Sequence, residues 1–217
     1  MISRPDCPTV LPMRIAIHTL GTRGDVQPYV ALAKALQSRG HTVSLAGPAQ
    51  FEAFAADNGI PFHPLPGEFL ALLDSPEGKA AVAGGKGLSA GFRLLGRFRP
   101  LMRKLLDAET SHARAFQPDV IVHHPKSLAG PHLAELLGCP AILASPLPGF
   151  TPTSAFPSPM LPFASLGPLN RASHQLAIKG ADLLFARTLR DWRVTSLGLP
   201  PSGKPARHRA GTLYAYS

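Results

Sequence analysis

Cysteine is nearly absent from this chain of 217 residues, which has only Cys7 and Cys139, far apart in the sequence. Two isolated thiols do not frame a disulfide scaffold and point to a reducing, cytoplasmic setting. Long apolar runs are missing too. No stretch reaches the roughly 18 to 20 uninterrupted apolar residues of a membrane span. The first residues, with Arg4, Asp6 and Pro5, Pro8 and Pro12, lack the apolar core of a signal peptide. Acidic residues are scarce: 13 Asp+Glu stand against 22 Lys+Arg, for a formal charge of +9. No zinc-finger spacing or RNP-like aromatic strand accompanies that charge, so nucleic acid is not an expected partner. The basic residues gather in two places, Arg93, Arg97, Arg99, Arg103 and Lys104 mid-chain, and Lys204, Arg207, His208 and Arg209 near the end. They read as solvated basic faces, with weak peripheral contact to an anionic membrane as the alternative. What remains is ample for a core: 45% of the residues are hydrophobic and 16% charged, in a length that suits one domain.

Residues 1–12 read as a disordered leader, with Met13 as an alternative start. Residues 13–20 form a buried strand, followed by a turn at 21–25 and a helix with Pro28 in its first turn and Gly40 as its stop. Strand 42–46, a short helix at 50–57 and strand 61–65 follow. Residues 84–91 read as a flexible loop, whose Gly84-Gly85-Lys86-Gly87 lacks the Ser or Thr that follows Lys in a phosphate loop. A basic amphipathic segment covers 92–116, kinked or divided at Pro100. Its apolar stripe through residue 106 fits an interfacial helix, and equally a helix packed on its own sheet. Strand 119–123, a helix near 128–137 stopped by Gly138, and strand 140–144 come next. A proline-rich stretch to Pro162, a helix over 169–196 and a linker or tail at 198–217 complete the chain. The alternation predicts an α/β, Rossmann-like parallel sheet with helices on both faces, with ligands at the carboxyl ends of its strands.

The turn Gly21-Thr22-Arg23-Gly24-Asp25 sits on that edge. It supplies two glycines, exposed helix N–H groups and an Arg, a setting that welcomes an anion. It lacks the Gly-x-Gly-x-x-Gly order of a dinucleotide site, and Ala46-Gly47-Pro48 stands where a ribose-binding acid would follow the second strand. Asp25 reads either as the helix N-cap or as a catalytic carboxylate. His123 and His124, just past the fourth strand, are a hydrogen-bonded loop pair or the lining of a pocket. His18, within the first strand, reads as a packed core histidine. No third ligand has metal-site spacing, so no metal is expected. Phe150 and Phe156 in the proline-rich segment are candidates to wall an apolar ligand, or belong to an ordinary surface loop.

The octet GTRGDVQP, continued by YVALAKALQSRGHTVSLAGP, resembles the N-terminal half of GT-B glycosyltransferases, in the family 28 and family 1 group that includes sterol and glycopeptide-antibiotic glycosyltransferases. The likeness continues through PDVIVHHPKSLAGPHLAELLGCPAILASPLPGFTPTSAFPSP and GPLNRASHQL and spans about residues 13–217. It implies an acceptor-binding lobe over 13–197 that faces a donor lobe across a cleft. The donor lobe grips a nucleotide sugar, usually a UDP-sugar, which is a co-substrate rather than a tightly bound cofactor. The sugar moves with inversion to a hydroxyl of a sterol, another lipid or a lipophilic natural product. The family's base aligns with Asp25, and Gly21, Thr22, Arg23, Gly24, His123, His124, Phe150 and Phe156 fall where the acceptor is held. The donor-lobe motif is absent from these residues, so transfer by the chain alone is expected to be very weak or nil. A non-catalytic acceptor-binding module and a truncated gene product are the alternatives.

Overall fold

Alternation with a period of two sets the first strand. Ile15 and Ile17 face one side and Ala16 and His18 the other, and all four are buried because both faces of the sheet are covered. In a computed structural model of the chain, the described residues are 11–68, 71–72, 75–76, 88–147, 149–159, 161, 163–203 and 209–215. Within them, β1 (Arg14–His18), β2 (Thr42–Pro48), β3 (Phe62–Leu65), β4 (Val120–His123), β5 (Ala141–Ser145) and β6 (Arg209–Tyr214) form one parallel sheet in the order β3-β2-β1-β4-β5-β6. The order reverses between β1 and β4, where His18 lies opposite His123. In open sheets of this class such a reversal is where a ligand crevice forms beyond the strand ends.

Helices α1 (Arg23–Gln37) and α2 (Glu52–Asp57) cover one face, closing over Ile15, Ile17, Val26, Tyr29, Val30 and Leu45. On the other face, α3 (Leu88–Phe116), α4 (Gly130–Leu137) and α6 (Ala186–Trp192) enclose Ala16, Leu105, Leu106, Leu133, Leu189 and Trp192. Helix α5 (Asn170–Leu184) lies between the proline-rich loop and α6. Buried Arg193, in the π-turn after α6, meets Glu135 of α4 through two bonds of 2.9 and 3.1 Å. Its geometry is the bidentate one that fits a guanidinium to a carboxylate.

The α/β reading and its first five strands match the sheet, with differences that have physical causes. Helix α1 starts earlier than expected: Thr22 is its N-cap and Asp25 occupies the third position of a capping box, so Asp25 is not the cap itself, and Pro28 lies one turn further in. Pro100 does not divide α3, which continues through it, and residues 88–91, expected in a loop, are its first turn. The helix expected at 169–196 is broken at Phe185 into α5 and α6 and ends in the π-turn. The expected tail at 198–217 holds β6, which pairs with β5 from Ala141 to Ser145. The leader through residue 10, the Gly84–Gly87 motif, Pro148, Met160 and Pro162 lie outside the described residues.

Candidate functional site at the sheet switch point

Two loops meet at the switch point between β1 and β4. The first leaves β1 through Gly21, whose φ of +137° and whose missing Cβ are both required: a Cβ there would fall 2.0 Å from Asp25 Oδ2. The second leaves β4 at His124, whose backbone N–H donates to the His18 carbonyl at 2.8 Å. The sheet thus brings Asp25 and Lys126 together although 101 residues separate them.

Asp25 is well supplied with donors. Its Oδ2 accepts from the Thr22 N–H at 2.9 Å, the Thr22 hydroxyl at 3.3 Å and Lys126 Nζ at 2.9 Å. Its Oδ1 lies 3.3 Å from His124 Nε2. The side chain keeps 17% of its surface exposed, while that of His124 keeps 4%. Burial works against ionisation, but the bonds from His124, Lys126 and Thr22 outweigh it and hold the carboxyl well below the usual carboxylate range. His124 Nδ1 accepts the Lys126 N–H at 3.0 Å, which leaves the ring proton on Nε2 to donate to Asp25. Burial also lowers the His124 pKa, against the raising effect of Asp25. The ring is therefore neutral at pH 7, with both nitrogens engaged. Tyr29 stands edge-on to it at 5.8 Å and donates its hydroxyl to the Ala144 carbonyl. Burial and the Asp25 charge raise the phenol pKa, keeping Tyr29 protonated.

The other expected residues take different places. Thr22 contacts Asp25 directly, and Gly24 is exposed in the first turn of α1. The Arg23 guanidinium lies 4.9 Å over the Phe54 ring of α2. The His123 ring is buried against Gly130, where a Cβ would come within 2.5 Å of the ring, so its place is a packed one. Phe150 is half-buried in the proline-rich loop, and Phe156 packs edge-on against His174 of α5 at 5.6 Å.

His18 is buried as expected, but it is part of a polar network that sequence reasoning missed. Its Nδ1 lies 3.1 Å from Glu109 Oε1 and its Nε2 lies 2.9 Å from His112 Nδ1, while His112 Nε2 meets the Ser44 hydroxyl at 2.8 Å. Ser127, on the same loop as Lys126, also donates to Glu109 Oε1. Glu109 is fully buried, and its Oε2 has no hydrogen-bond partner among the described residues. Through His18 and Ser127 this one carboxylate ties α3 to the ends of both site loops. Lys126 was missed as well; its nearness to His124 in sequence was the available signal.

A parallel sheet of this order with a charged cluster at its switch point defines a Rossmann-like lobe, and the cluster lies at the strand ends, where sheets of this class collect their ligands. The profile of the glycosyltransferase family 28 N-terminal domain matches residues 15–157, and the chain belongs to that family. It is 32% identical to a UDP-sugar-dependent glycosyltransferase 52 of Dictyostelium discoideum, over 100% of this chain and 13% of the relative. It is 34% identical to a sterol 3-beta-glucosyltransferase of Pichia angusta (94% and 16%) and 32% identical to the sterol 3-beta-glucosyltransferase UGT80B1 of Arabidopsis thaliana (87% and 31%). The chain thus spans less than a third of the length of these relatives. Among solved structures, the glycosyltransferase of kitacinnamycin superposes with a TM-score of 0.55 at 19% identity, over 94% of this chain and 46% of that one. The Streptomyces sp. SF2575 glycosyltransferase SsfS6 gives 0.51 at 22% (89% and 48%). The fold is the N-terminal lobe of the GT-B architecture.

Proposed function

We propose that this chain is the acceptor-holding lobe of an inverting glycosyltransferase that moves a hexosyl unit from a UDP-sugar to a hydroxyl of a sterol, another lipid or a lipophilic natural product. The observation that carries the reading is the Asp25 carboxylate, fixed at the switch point with Oδ2 saturated by Thr22 and Lys126 and with Oδ1 bonded to His124 alone among the described residues. A carboxylate oxygen accepts more than one hydrogen bond, so Oδ1 can also take the acceptor hydroxyl. As the acceptor oxygen bonds to the anomeric carbon and the bond to the UDP oxygen breaks on the opposite face, the hydroxyl proton passes to Oδ1. His124 cannot take that proton, because Nδ1 is occupied and Nε2 already carries one. It positions the base. The low pKa makes Asp25 a weak base that is always ionised at pH 7, which suits proton transfer late in the bond exchange.

The relatives named for UDP-sugar and for sterol support the choice of donor and acceptor. The donor is held in this reading by a C-terminal lobe, and the lipophilic acceptor implies contact with a lipid surface. No helix among the described residues is long and apolar enough to cross a membrane. A second reading, an acceptor-binding module without chemistry, is favoured by one fact: the capping box and the Lys126 ion pair already give Asp25 a structural role. The test fuses the donor lobe of a sterol glucosyltransferase relative after Ser217 and assays transfer from UDP-glucose to a sterol. Asp25→Asn is expected to lower the rate by about 10²–10⁴-fold with the fold intact by circular dichroism. Undiminished transfer removes Asp25 from the mechanism, and acceptor binding without any product favours the module.

A further inference from the structure

Helix α5 is amphipathic the wrong way round for a core helix. Among its described side chains the buried ones are polar: Asn170, Ser173 and His174. They clasp the proline-rich loop, Asn170 Nδ2 donating to the Ser154 carbonyl at 2.9 Å, the Ser158 N–H to Ser173 Oγ at 2.8 Å, and His174 Nε2 to the Phe156 carbonyl at 3.0 Å. Leu176 and Leu183 of the helix are 66% and 67% exposed, and Leu169, in the 3-10 turn that leads into it, is 63% exposed. Spaced seven apart, they drift by only about 20° per step and form one stripe. Phe156 and Phe163, in the loop that α5 clasps, are 46% and 55% exposed.

Charge narrows what covers such a face. Lys179 is exposed, three residues after Leu176 and four before Leu183, and so sits on the stripe itself. It does so in a chain of net charge +9. A lysine inside the stripe is disfavoured at the core of a protein interface, where this residue is depleted. At a lipid surface it is an asset, since its stem lies along the acyl chains while its ammonium reaches the headgroups. We propose that the outward stripe of Leu176 and Leu183 on α5, led in by Leu169 just before the helix and carrying Lys179, docks in the plane of an anionic bilayer.

This gives a surface to the lipid contact of the preceding reading and rests on it only for its biological sense. Vesicle binding is read without donor, acceptor or turnover, so its failure and a failure of transfer are separate results. The experiment is flotation of the full 217-residue chain with phosphatidylcholine vesicles, with and without phosphatidylserine. The chain is expected to float with the anionic vesicles, to weaken at high salt, and to lose affinity about tenfold or more in Leu176→Glu/Leu183→Glu, whose urea midpoint stays unchanged because both sites are exposed. Lys179→Glu is expected to weaken binding to anionic vesicles alone. Equal binding of the wild type and the leucine variant overturns the proposal, as does equal binding to neutral and anionic vesicles. A dimer in size exclusion that the leucine variant dissolves overturns it too, since a second copy then covers the stripe.

Discussion

Helices α3 and α5 look alike in sequence, each with leucines at helical spacing and basic residues between them, yet they turn their apolar faces in opposite directions. In α3, Phe98, Met102, Leu105 and Leu106 are buried against the sheet, and the polar Glu109 and His112 are buried with them. From Phe98 to Leu106 the stripe that fits an interfacial helix is therefore occupied by the protein's own core. In α5 the leucines are exposed and the buried contacts are hydrogen bonds to a loop. Periodicity establishes that a helix has an apolar face; the neighbour of that face is set by where the chain lies in three dimensions.

Three measurements sharpen or break this contrast. The largest effect is expected from truncation: Leu106→Ala, at a site with no exposed surface, costs about 2–5 kcal/mol, whereas Leu176→Ala stays within about 0.5 kcal/mol in urea denaturation. Comparable losses at both sites break the comparison. The buried polar groups differ next. Glu109→Ala leaves the His18 ring N–H and the Ser127 hydroxyl without their acceptor, at about 1–3 kcal/mol. Ser173→Ala on α5 removes the bond from the Ser158 N–H and a local one to the Asn170 carbonyl three residues back, both neutral, and costs about 0.5–1.5 kcal/mol by the same denaturation. The smallest effect is in the pH dependence. Burial, then the neighbouring His18 and His63, hold the His112 pKa down to about 3, against an ordinary value of 6.5. Between those values the unfolded chain binds this proton and the folded chain does not, so stability falls as pH drops from about 6.5 to about 3. His112→Phe, which keeps a ring between His63 and Phe116, is expected to make that fall shallower. It does not flatten it, because burial also lowers His132 to about 4. An unchanged slope in the urea midpoint against pH counts against a neutral buried His112.

Much of the fold was legible because its signals are local. The apolar run of β1, the turn at Gly21, and Gly138 with its φ of +69° as the stop of α4 each act within a few residues. Strand β6 was not legible, since Arg-Ala-Gly-Thr-Leu-Tyr has little strand character of its own and is a strand by pairing with β5. In the candidate site, Asp25 and His124 stood out by their loops, but the partnership between them did not. Glu109 and His112 read as ordinary polar positions of an amphipathic helix until β1 and β2 were laid beneath them.

The sequence by itself determined the alternation of strands and helices, the turn that carries Asp25 and the family to which the chain belongs, because these rest on short-range spacing and on ordered motifs. Only the tertiary structure decided which groups meet: Asp25 with His124 and Lys126, His18 with Glu109, and the outward turn of α5. Those contacts join residues far apart in the chain through the strand order of one sheet, and spacing along a sequence carries no record of that order.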